Sequence, residues 1–332
     1  MKINWQIVKF KLKETFTISY GSYNFREALI ITLQHLQYKG YGECTAIDYY
    51  NINLTDFDRN LNQVKTEIER HNIVEPSEFY QFLLTLNLPS FLRSAIDCAY
   101  WDLFGKLEKK SFLALNDINY SKLPESSLTI SIDSIENQIK KIKQSSWNSF
   151  KIKCSHLDHE NVFKLLDEDK KIALDSNGSF SKDDCYWLEN NHQTSRFQYL
   201  EQPMNTENDN FKLLSNNKFA NWMADEDCQS VEDLQKLQPH YQSINIKLVK
   251  CGGLTSALSM IGEARKLNFK IMIGCMTESS IGISAAAVLA PLCDFADLDG
   301  ATLIANDVAK GSQIENGIVK LSHDFGLGIR LI

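Results

Sequence analysis

Several features that assign a protein to a functional class are missing from this sequence. It has no long run of basic residues and a formal net charge of −7, so we expect neither a nucleic-acid partner nor an anionic membrane partner. No apolar run approaches the length of a membrane span, and the longest candidate, residues 281–292, is typical of a buried helix. The N-terminal residues lack the apolar core of a signal peptide, which predicts a cytoplasmic protein.

Paired cysteines are also missing. The eight cysteines are scattered along the chain, and none belongs to a CxxC pair. This usage is typical of a reducing cytosol, where buried cysteines act as small apolar side chains. It therefore agrees with a cytoplasmic location and predicts no disulfide bonds.

A change of pattern divides the 332-residue chain. Strand-like segments followed by helical ones over residues 1–112 predict a small α+β domain. Alternating strands and helices over residues 113–310 predict a barrel, and the strand- and turn-like tail 311–332 is expected to pack back on the first domain. No low-complexity linker separates these parts, so we expect them to be tightly docked.

Five charged residues stand at or near the ends of successive strand-like segments. They are Lys153, Asp175, Glu201, Asp225 and Lys247, at intervals of 22, 26, 24 and 22 residues. Each interval is about the length of one strand and one helix with short loops. Because a parallel barrel gathers the C-terminal ends of its strands at one mouth, the spacing predicts that these side chains meet in one pocket.

Three of these residues, Asp175, Glu201 and Asp225, offer only oxygen atoms. Hard cations such as Mg²⁺ prefer oxygen ligands, whereas zinc sites usually contain histidine or cysteine. Each carboxylate alone is more simply a salt-bridge partner or a helix cap, but three at equivalent strand ends indicate a Mg²⁺ site. Glu226 directly follows Asp225, and the loosened alternation at a strand end makes it a candidate partner of a lysine.

The lysines predict a proton transfer. Lys151 and Lys153 are two residues apart on a strand and share one face, whereas Lys247 lies four strands later, across the mouth. Two lysines on opposite sides of a bound carbon could remove and return a proton, and nearby cations are expected to lower the lysine pKa toward useful basicity. The alternative is that Lys151 and Lys153 belong to a solvated edge strand.

Asp297 and Asp299 form a further acidic pair at a later strand end. Side chains two residues apart share one face of a strand, so this pair could bind a cationic group such as an ammonium. The alternative is a pair of capping residues beside a loop.

The segments around these residues resemble the enolase superfamily, and within it the muconate-lactonizing subgroup. The matching segments are Lys151-Ile152-Lys153, Leu174-Asp175-Ser176-Asn177, Leu200-Glu201-Gln202-Pro203, Ala224-Asp225-Glu226 and residues 245–253, with residues 99–105 and 326–329 elsewhere. The resemblance implies an α/β fold, a modified (β/α)7β TIM barrel with an N-terminal α+β capping domain. It also implies Mg²⁺ held by Asp175, Glu201 and Asp225, with Lys153 and Lys247 as the acid/base pair.

Residues 274–282 and the segment Asp297-Leu298-Asp299 look like those of the dipeptide epimerases. The resemblance implies that Asp297 and Asp299 bind the free ammonium of a dipeptide, that Met276 and Thr277 contact the substrate, and that Asn177 and Glu226 stand behind the residues that touch it. One lysine would remove the α-proton of the C-terminal residue and the other would deliver a proton to the opposite face. Mg²⁺ and Lys151 would stabilise the enediolate, and Ala-Glu from cell-wall peptides is the default substrate.

Two capping-domain loops are expected to close over the substrate. Residues 19–26 contain Tyr20, Tyr23 and Arg26, and Tyr49 belongs to the second loop. In Ala-Glu epimerases an arginine near this position often receives the glutamate side chain, but here Gly21 stands in its place and Arg26 is nearby. An aromatic-lined cap fits an apolar side chain better, so apolar dipeptides are also candidate substrates. The tyrosines could equally be ordinary surface or domain-packing residues.

Two other functions remain open from the sequence. o-Succinylbenzoate synthase would use the same metal and lysines for a dehydration, but its substrate has no ammonium for Asp297 and Asp299. A barrel that binds an acidic metabolite without turning it over is an alternative of another class. The sequence does not predict the preferred side chains, the physiological direction or the oligomeric state, although it is compatible with a homo-oligomer.

Overall fold

A computed structural model of the chain describes residues 1–214 and 219–332. Its N-terminal part contains a three-stranded antiparallel sheet and four helices. The strands are β1 (Lys2–Ile18), β2 (Gly21–His35) and β3 (Tyr38–Thr45), in that order, and the helices are α1 (Leu54–Arg70), α2 (Pro76–Thr85), α3 (Ser90–Glu108) and α4 (Phe112–Leu115). This arrangement confirms the predicted α+β capping domain.

Strand β2 separates two hydrophobic cores, because side chains alternate across a strand. Leu29, Ile31 and Leu33 pack with the cap helices, whereas Ala28 and Ile30 belong to the core of the barrel. All five side chains are buried. The cap sheet is therefore covered on both faces, and the cap is docked firmly on the barrel.

Residues 21–26, which we expected in a loop, belong to a long β-hairpin. After a register shift between Lys11 and Phe16, the hairpin continues and pairs Phe16 with Tyr23 and Ile18 with Gly21. Aromatic and β-branched residues that alternate with polar ones favour such cross-strand pairing. The predicted loop is therefore the tip of a hairpin, whose turn is Ser19-Tyr20.

Eight parallel strands follow one another in chain order around the barrel. They are β4 (Leu128–Ile130), β5 (Ser149–Lys153), β6 (Lys171–Asp175), β7 (Leu200–Glu201), β8 (Trp222–Ala224), β9 (Ser243–Lys247), β10 (Lys270–Gly274) and β11 (Phe295–Asp297). A parallel bridge between Ser126 and Ala296 joins the first edge to the last. The nearly closed sheet confirms the predicted barrel.

Helices surround the barrel, although not in every crossover. They are α5 (Ile135–Gln144), α6 (Lys182–Asn190), α7 (Leu234–Leu237), α8 (Leu248–Cys251), α9 (Leu254–Lys266) and α10 (Ser280–Ala287). Shorter 3₁₀ segments at Val162–Asp167 and Glu207–Leu213 lie in the crossovers after β5 and β7. In the part of the chain that the structure describes, no helix is long and apolar enough to cross a membrane.

The C-terminal tail contacts the last long helix of the cap. It follows the short strand β12 (Ala309–Lys310) and contains three more, β13 (Gln313–Glu315), β14 (Ile318–Lys320) and β15 (Arg330–Leu331). The amide of Leu327 donates to Asp102 Oδ1 at 2.9 Å, and Lys106 Nζ donates to the carbonyl of Ile329 at 3.0 Å. These contacts tie the tail to α3.

Candidate active site

The barrel strands bring three carboxylates together at one mouth. Asp175 ends β6, Glu201 ends β7, and Asp225 directly follows β8. Asp175 and Glu201 are directly opposite each other on neighbouring parallel strands, and all three residues are at most 1% exposed. They form one buried group, which we call the acidic group.

Lysines contact the acidic group from two different strands. Lys153 Nζ, at the end of β5, donates to Asp175 Oδ2 at 2.5 Å and to Asn177 Oδ1 at 2.9 Å. Lys247 Nζ, at the end of β9, donates to Asp225 Oδ2 at 2.7 Å. Both lysines line the same cavity, so two ammonium groups held by different carboxylates face one enclosed space.

Lys151 lies between the acidic group and the acidic pair of the last strand. Its Nζ is 3.4 Å from Asp175 Oδ2 and 3.3 Å from Glu201 Oε2, and it also contacts the carboxylate of Asp297. Burial lowers the pKa of Lys151, but the three carboxylates outweigh burial and raise it well above its usual value. Lys151 is therefore a buried fixed positive charge and does not lie on a solvated edge strand.

The three carboxylates differ in how well they are compensated. Burial raises the pKa of Asp225, but Lys247 and Lys250 outweigh burial and hold it well below its usual range. Burial and the charge of Asp175 raise the pKa of Glu201 to about 8. Glu201 is therefore the carboxylate with the greatest need of an additional positive charge.

The pKa of Lys247 is raised in this arrangement. Burial lowers it, but the carboxylate of Asp225 outweighs burial, and Glu201 adds to the effect. We expected nearby cations, the metal ion included, to lower the lysine pKa. Lys151 acts on Lys247 in this direction, but the carboxylates around Nζ outweigh it, and the effect of the metal ion stays a prediction.

The acidic group has the donor atoms of a hard-cation site. All its candidate ligand atoms are carboxylate oxygens, which Mg²⁺ prefers. Glu201 Oε2 is buried and accepts no hydrogen bond, although Lys151 Nζ lies 3.3 Å away. Among the described residues, no three acidic, histidine or cysteine side chains are arranged as a formed metal site, because Asp175 and Asp225 are turned toward lysines. The residues therefore fit Mg²⁺ in their chemistry, and the ion would compete with Lys153 for Asp175 and with Lys247 for Oδ2 of Asp225.

Asp297 and Asp299 lie on the other side of the cavity. Asp297 contacts Lys151 and accepts a hydrogen bond from Ser127 Oγ at 2.9 Å. Asp299 Oδ2 accepts from the amide of Thr129 at 2.6 Å, and burial together with the charge of Asp297 raises the pKa of Asp299 to about 7. Asp297 is thus already paired with a lysine. Asp299 has no ion-pair partner among the described residues, and the charge of Lys151 only partly offsets the rise of its pKa.

The hairpin tip of the cap lies directly over the barrel mouth. Tyr20 OH donates to Glu226 Oε1 at 2.8 Å and is 3.0 Å from the carbonyl oxygen of Asn177, while the Tyr20 ring stacks on Tyr49 with centroids 4.5 Å apart. Asn177 also donates to Glu226 Oε1 at 3.0 Å. Glu226 was expected to be an indirect partner of a lysine. In the structure Asn177 links it to Lys153, and the cap tyrosine and the asparagine hold its carboxylate.

Every residue that we predicted to touch substrate lines one cavity between cap and barrel, with a volume of about 90 Å³. The barrel contributes Met276, Thr277, Asp297 and Asp299, and the cap contributes Tyr20, Tyr23, Arg26 and Tyr49. Arg26 is buried, donates from Nη1 to the carbonyl of Ala46 at 2.9 Å and lies 4.4 Å over the Tyr23 ring, while its Nε has no hydrogen-bond partner. The guanidinium of Arg26, with one N–H group that makes no hydrogen bond, therefore lies among the aromatic rings of the cap.

Two supporting residues were missed from the sequence. Lys250 Nζ, on the short helix α8, donates to the carbonyl and to Oδ1 of Asp225, both at 2.5 Å. Asn245 Nδ2 donates to Glu201 Oε1 at 2.7 Å. Asn245 could have been found, because it is two residues before Lys247 on β9 and therefore shares its face. Lys250 lies beyond the strand end, where the alternation no longer applies.

Comparisons with known proteins agree with this architecture. The family model described as "Enolase C-terminal domain-like" matches residues 134–332. An L-Ala-D/L-amino acid epimerase of Flavobacterium johnsoniae is 35% identical and covers 100% of both chains. An enolase family member of Agrobacterium tumefaciens, crystallised with sodium and L-Ala-L-Glu, superposes with a TM-score of 0.84 at 28% identity, covering 96% of this chain and 97% of its own.

A further solved structure shares the fold alone. The dipeptide epimerase of Methylococcus capsulatus, crystallised with Mg and L-Arg-D-Lys, has a TM-score of 0.88 at 23% identity and covers 99% of each chain. A capped barrel with carboxylates and lysines at its mouth defines an enzyme of the enolase type. This chain belongs to the enolase superfamily, with the dipeptide epimerases as its relatives, and it is an isomerase.

Proposed function

We propose that this protein is a Mg²⁺-dependent dipeptide epimerase that inverts the α-carbon of the C-terminal residue. The observation that carries the proposal is the pair Lys153 and Lys247, held by different carboxylates on either side of one cavity. A two-base inversion requires two proton-transferring groups that reach one carbon from opposite faces. The epimerase relatives supply the reaction class.

Asp175, Glu201 and Asp225 would hold Mg²⁺, as their oxygen donors and the unsatisfied Glu201 Oε2 suggest. When bound, the ion would supply positive charge that stabilises negative charge on the substrate carboxylate. The protein's own contribution at this point is Lys151, whose buried ammonium adds a second positive charge. One catalytic lysine removes the α-proton, and the other protonates the opposite face.

The free ammonium of the dipeptide would bind at Asp297 and Asp299. Asp299 carries the larger share in our proposal, because Asp297 already pairs with Lys151, whereas burial leaves Asp299 in need of a cation. Met276 and Thr277, next to this pair in the cavity, would contact the peptide backbone.

The C-terminal side chain would lie beneath the cap, against Tyr20, Tyr23 and Tyr49. Ala-Glu is the default substrate, because Arg26 offers a buried cation with an unsatisfied Nε. Apolar dipeptides are the second substrate class, because aromatic rings form most of this wall. We place the reaction in the metabolism of cell-wall peptides in the cytoplasm, in agreement with eight cysteines that are all free.

The proposal is tested by mass spectrometry in D₂O with Mg²⁺ and pooled L,L-dipeptides. We expect one deuterium at the α-carbon of the C-terminal residue, together with the epimerised product, and loss of both when Mg²⁺ is removed with a chelator. The precursor of o-succinylbenzoate serves as a separate reaction. Turnover of that precursor without exchange in any dipeptide would contradict the proposal and assign the protein to the synthase, and binding without exchange would indicate a passive binding protein.

A further inference from the structure

Gln202 directly follows Glu201 and contacts the ends of both neighbouring strands. Its carbonyl oxygen accepts from the amide of Gly178 and from Ser176 Oγ, both at 2.7 Å, in the segment that follows β6. Its own amide donates to the carbonyl of Met223 on β8 at 2.8 Å. Strands β6, β7 and β8 carry the three carboxylates of the acidic group, so one residue links all three strand ends.

The side chain of Gln202 holds the turn that follows β8. Its Oε1 accepts from the amide of Asp225 at 3.0 Å and from the amide of Asp227 at 3.1 Å. Its Nε2 donates to Asp227 Oδ2 at 2.8 Å and to the carbonyl of Met204 at 2.9 Å. Because Gln202 is fully buried and both donor and both acceptor positions of its side-chain amide are occupied, the side chain is fixed in one arrangement.

The backbone of Gln202 has an unusual conformation. Its φ angle is +36°, in the left-handed region that residues with a side chain rarely adopt. Such a conformation persists only where the surrounding structure holds it, and it is concentrated at functional sites. Glycine would adopt it without steric cost. A glutamine here therefore indicates a role for the side chain that glycine could not supply.

We propose that Gln202 is a positioning residue that holds the three carboxylates of the acidic group at the spacing that Mg²⁺ requires, and thereby favours Mg²⁺ over Ca²⁺. The inference rests on the proposed function, in which these carboxylates hold the ion. Mg²⁺ demands near-ideal octahedral geometry with short bonds, whereas the larger Ca²⁺ accepts longer bonds and variable geometry. Strand ends that are tied together by buried hydrogen bonds therefore favour the smaller ion, and loosened strand ends lose this preference.

Gln202→Met tests this role, because methionine has a similar length and no charge but loses the four side-chain hydrogen bonds. We expect Mg²⁺ affinity, measured by calorimetric titration, to fall about 10–100-fold, as when partners behind metal ligands are lost. Ca²⁺ affinity falls by a smaller factor, so the ratio of Mg²⁺ affinity to Ca²⁺ affinity decreases. The matched control is Gln144→Met, on an exposed residue at the end of α5, which leaves both affinities unchanged.

A double variant, Gln202→Glu with Asp227→Asn, reverses the direction of one hydrogen bond and keeps the net charge. The introduced carboxylate still accepts from the amides of residues 225 and 227, and the introduced side-chain amide donates to it. The hydroxyl of Tyr241, which donates to Asp227 Oδ2 at 2.7 Å, can accept the second N–H group of that amide. Gln202→Glu alone has the same shape but places two carboxylates side by side. We therefore expect the double variant to have a higher ratio of Mg²⁺ affinity to Ca²⁺ affinity than Gln202→Glu alone.

Circular dichroism and urea unfolding establish which variants are folded. If Gln202→Met does not fold, Asp227→Ala replaces it, because this change at a half-buried position removes the acceptor of Gln202 Nε2. The lost charge weakens the binding of both divalent ions alike, so a lower ratio of Mg²⁺ affinity to Ca²⁺ affinity still reports the loosened strand end.

A folded Gln202→Met variant in which both affinities fall by the same factor, or in which neither falls, would overturn the inference and assign Gln202 to the stability of the barrel. A wild-type protein that binds no Mg²⁺ would contradict the proposed function as well, so the two failures are distinguishable.

Discussion

At the scale of single residues, the positions of the charged groups follow from the sequence, but their pairing does not. Asp175, Glu201 and Lys247 were found from spacing, because the end of a parallel strand is a fixed place in a barrel. Which lysine binds which carboxylate depends on side-chain torsions and on neighbours distant in sequence. Lys250 shows this limit, since it holds Asp225 from a helix that follows the strand.

Lys250 provides a prediction at this scale. Replacement by methionine keeps the apolar stem but removes the ammonium that holds Asp225, so the carboxylate loses its orientation. We expect Mg²⁺ to bind about 10–100-fold more weakly, as when partners behind metal ligands are lost, measured by calorimetric titration.

The matched control is Lys266→Met, which removes an exposed lysine paired with Glu263 on α9. It should leave Mg²⁺ affinity unchanged. Because loss of one partner of a buried ion pair can cost about 3–5 kcal/mol, circular dichroism must show that the Lys250 variant is folded. A folded variant with wild-type Mg²⁺ affinity would refute this role.

At the scale of elements, the hairpin formed by β1 and β2 determines how the cap meets the site. The resemblance to the enolase superfamily suggested a loop over residues 19–26 that closes over the substrate. Cross-strand pairs such as Phe16 with Tyr23 extend the strands instead, since pairing depends on the facing strand as well as on local propensity. The position of the tip therefore follows from the pairing of β1 with β2.

Tyr20→Phe tests the contact between this tip and the barrel. The variant keeps the ring that stacks on Tyr49 but loses the hydroxyl that bonds Glu226 and Asn177. Since a hydrogen bond to a charged group contributes about 1.5–3 kcal/mol, we expect kcat/KM to fall about tenfold or more, mainly through a higher KM. Steady-state kinetics on the preferred dipeptide measures this effect.

Tyr186→Phe, on an exposed tyrosine of α6, is the control and should behave as wild type. An unchanged KM in Tyr20→Phe would mean that the tip hydroxyl takes no part in closing the site.

At the scale of the whole molecule, buried carboxylates of the cap accept hydrogen bonds from the N-termini of two barrel helices. Asp97 on α3 accepts from the amide of Thr255 at the start of α9 at 2.9 Å, and Glu43 accepts from Ser279 and Gly282 at the start of α10. Negative charge at helix N-termini is favourable.

The barrel and cap were predictable from the order of strands and helices. The contacts between cap carboxylates and barrel helices were not, because they join segments more than 150 residues apart and leave no local pattern. The domain boundary after residue 112 stays a prediction.

The raised pKa of Glu278, which lies near Glu43 of the cap, predicts that the stability of the protein depends on pH. Its pKa is raised from the ordinary 4.5 to about 8 by burial and Glu43, so the folded protein binds this proton more tightly than the unfolded chain. The stabilisation is complete below about pH 4.5 and is lost as the pH rises toward 8. At about 1.36 kcal/mol for each pKa unit, the loss amounts to at most about 5 kcal/mol.

Urea unfolding of wild type and Glu278→Gln across this range measures the effect. The free energy of unfolding of wild type should fall relative to the variant as the pH rises, whereas Glu263→Gln, an exposed change on α9, should run parallel to wild type. A constant difference between wild type and Glu278→Gln would show that the glutamate does not titrate in this range.

The central claim, that two lysines act on opposite faces of one carbon, is tested most directly by deuterium exchange in two single variants. Lys153→Met and Lys247→Met are each incubated in D₂O with Mg²⁺ and with each epimer of the preferred dipeptide. We predict that both variants lose epimerisation, and that each retains α-proton exchange for one epimer only, the retained epimer being different in the two variants. Loss of exchange for the same epimer in both variants, or epimerisation that survives either change, would contradict the account.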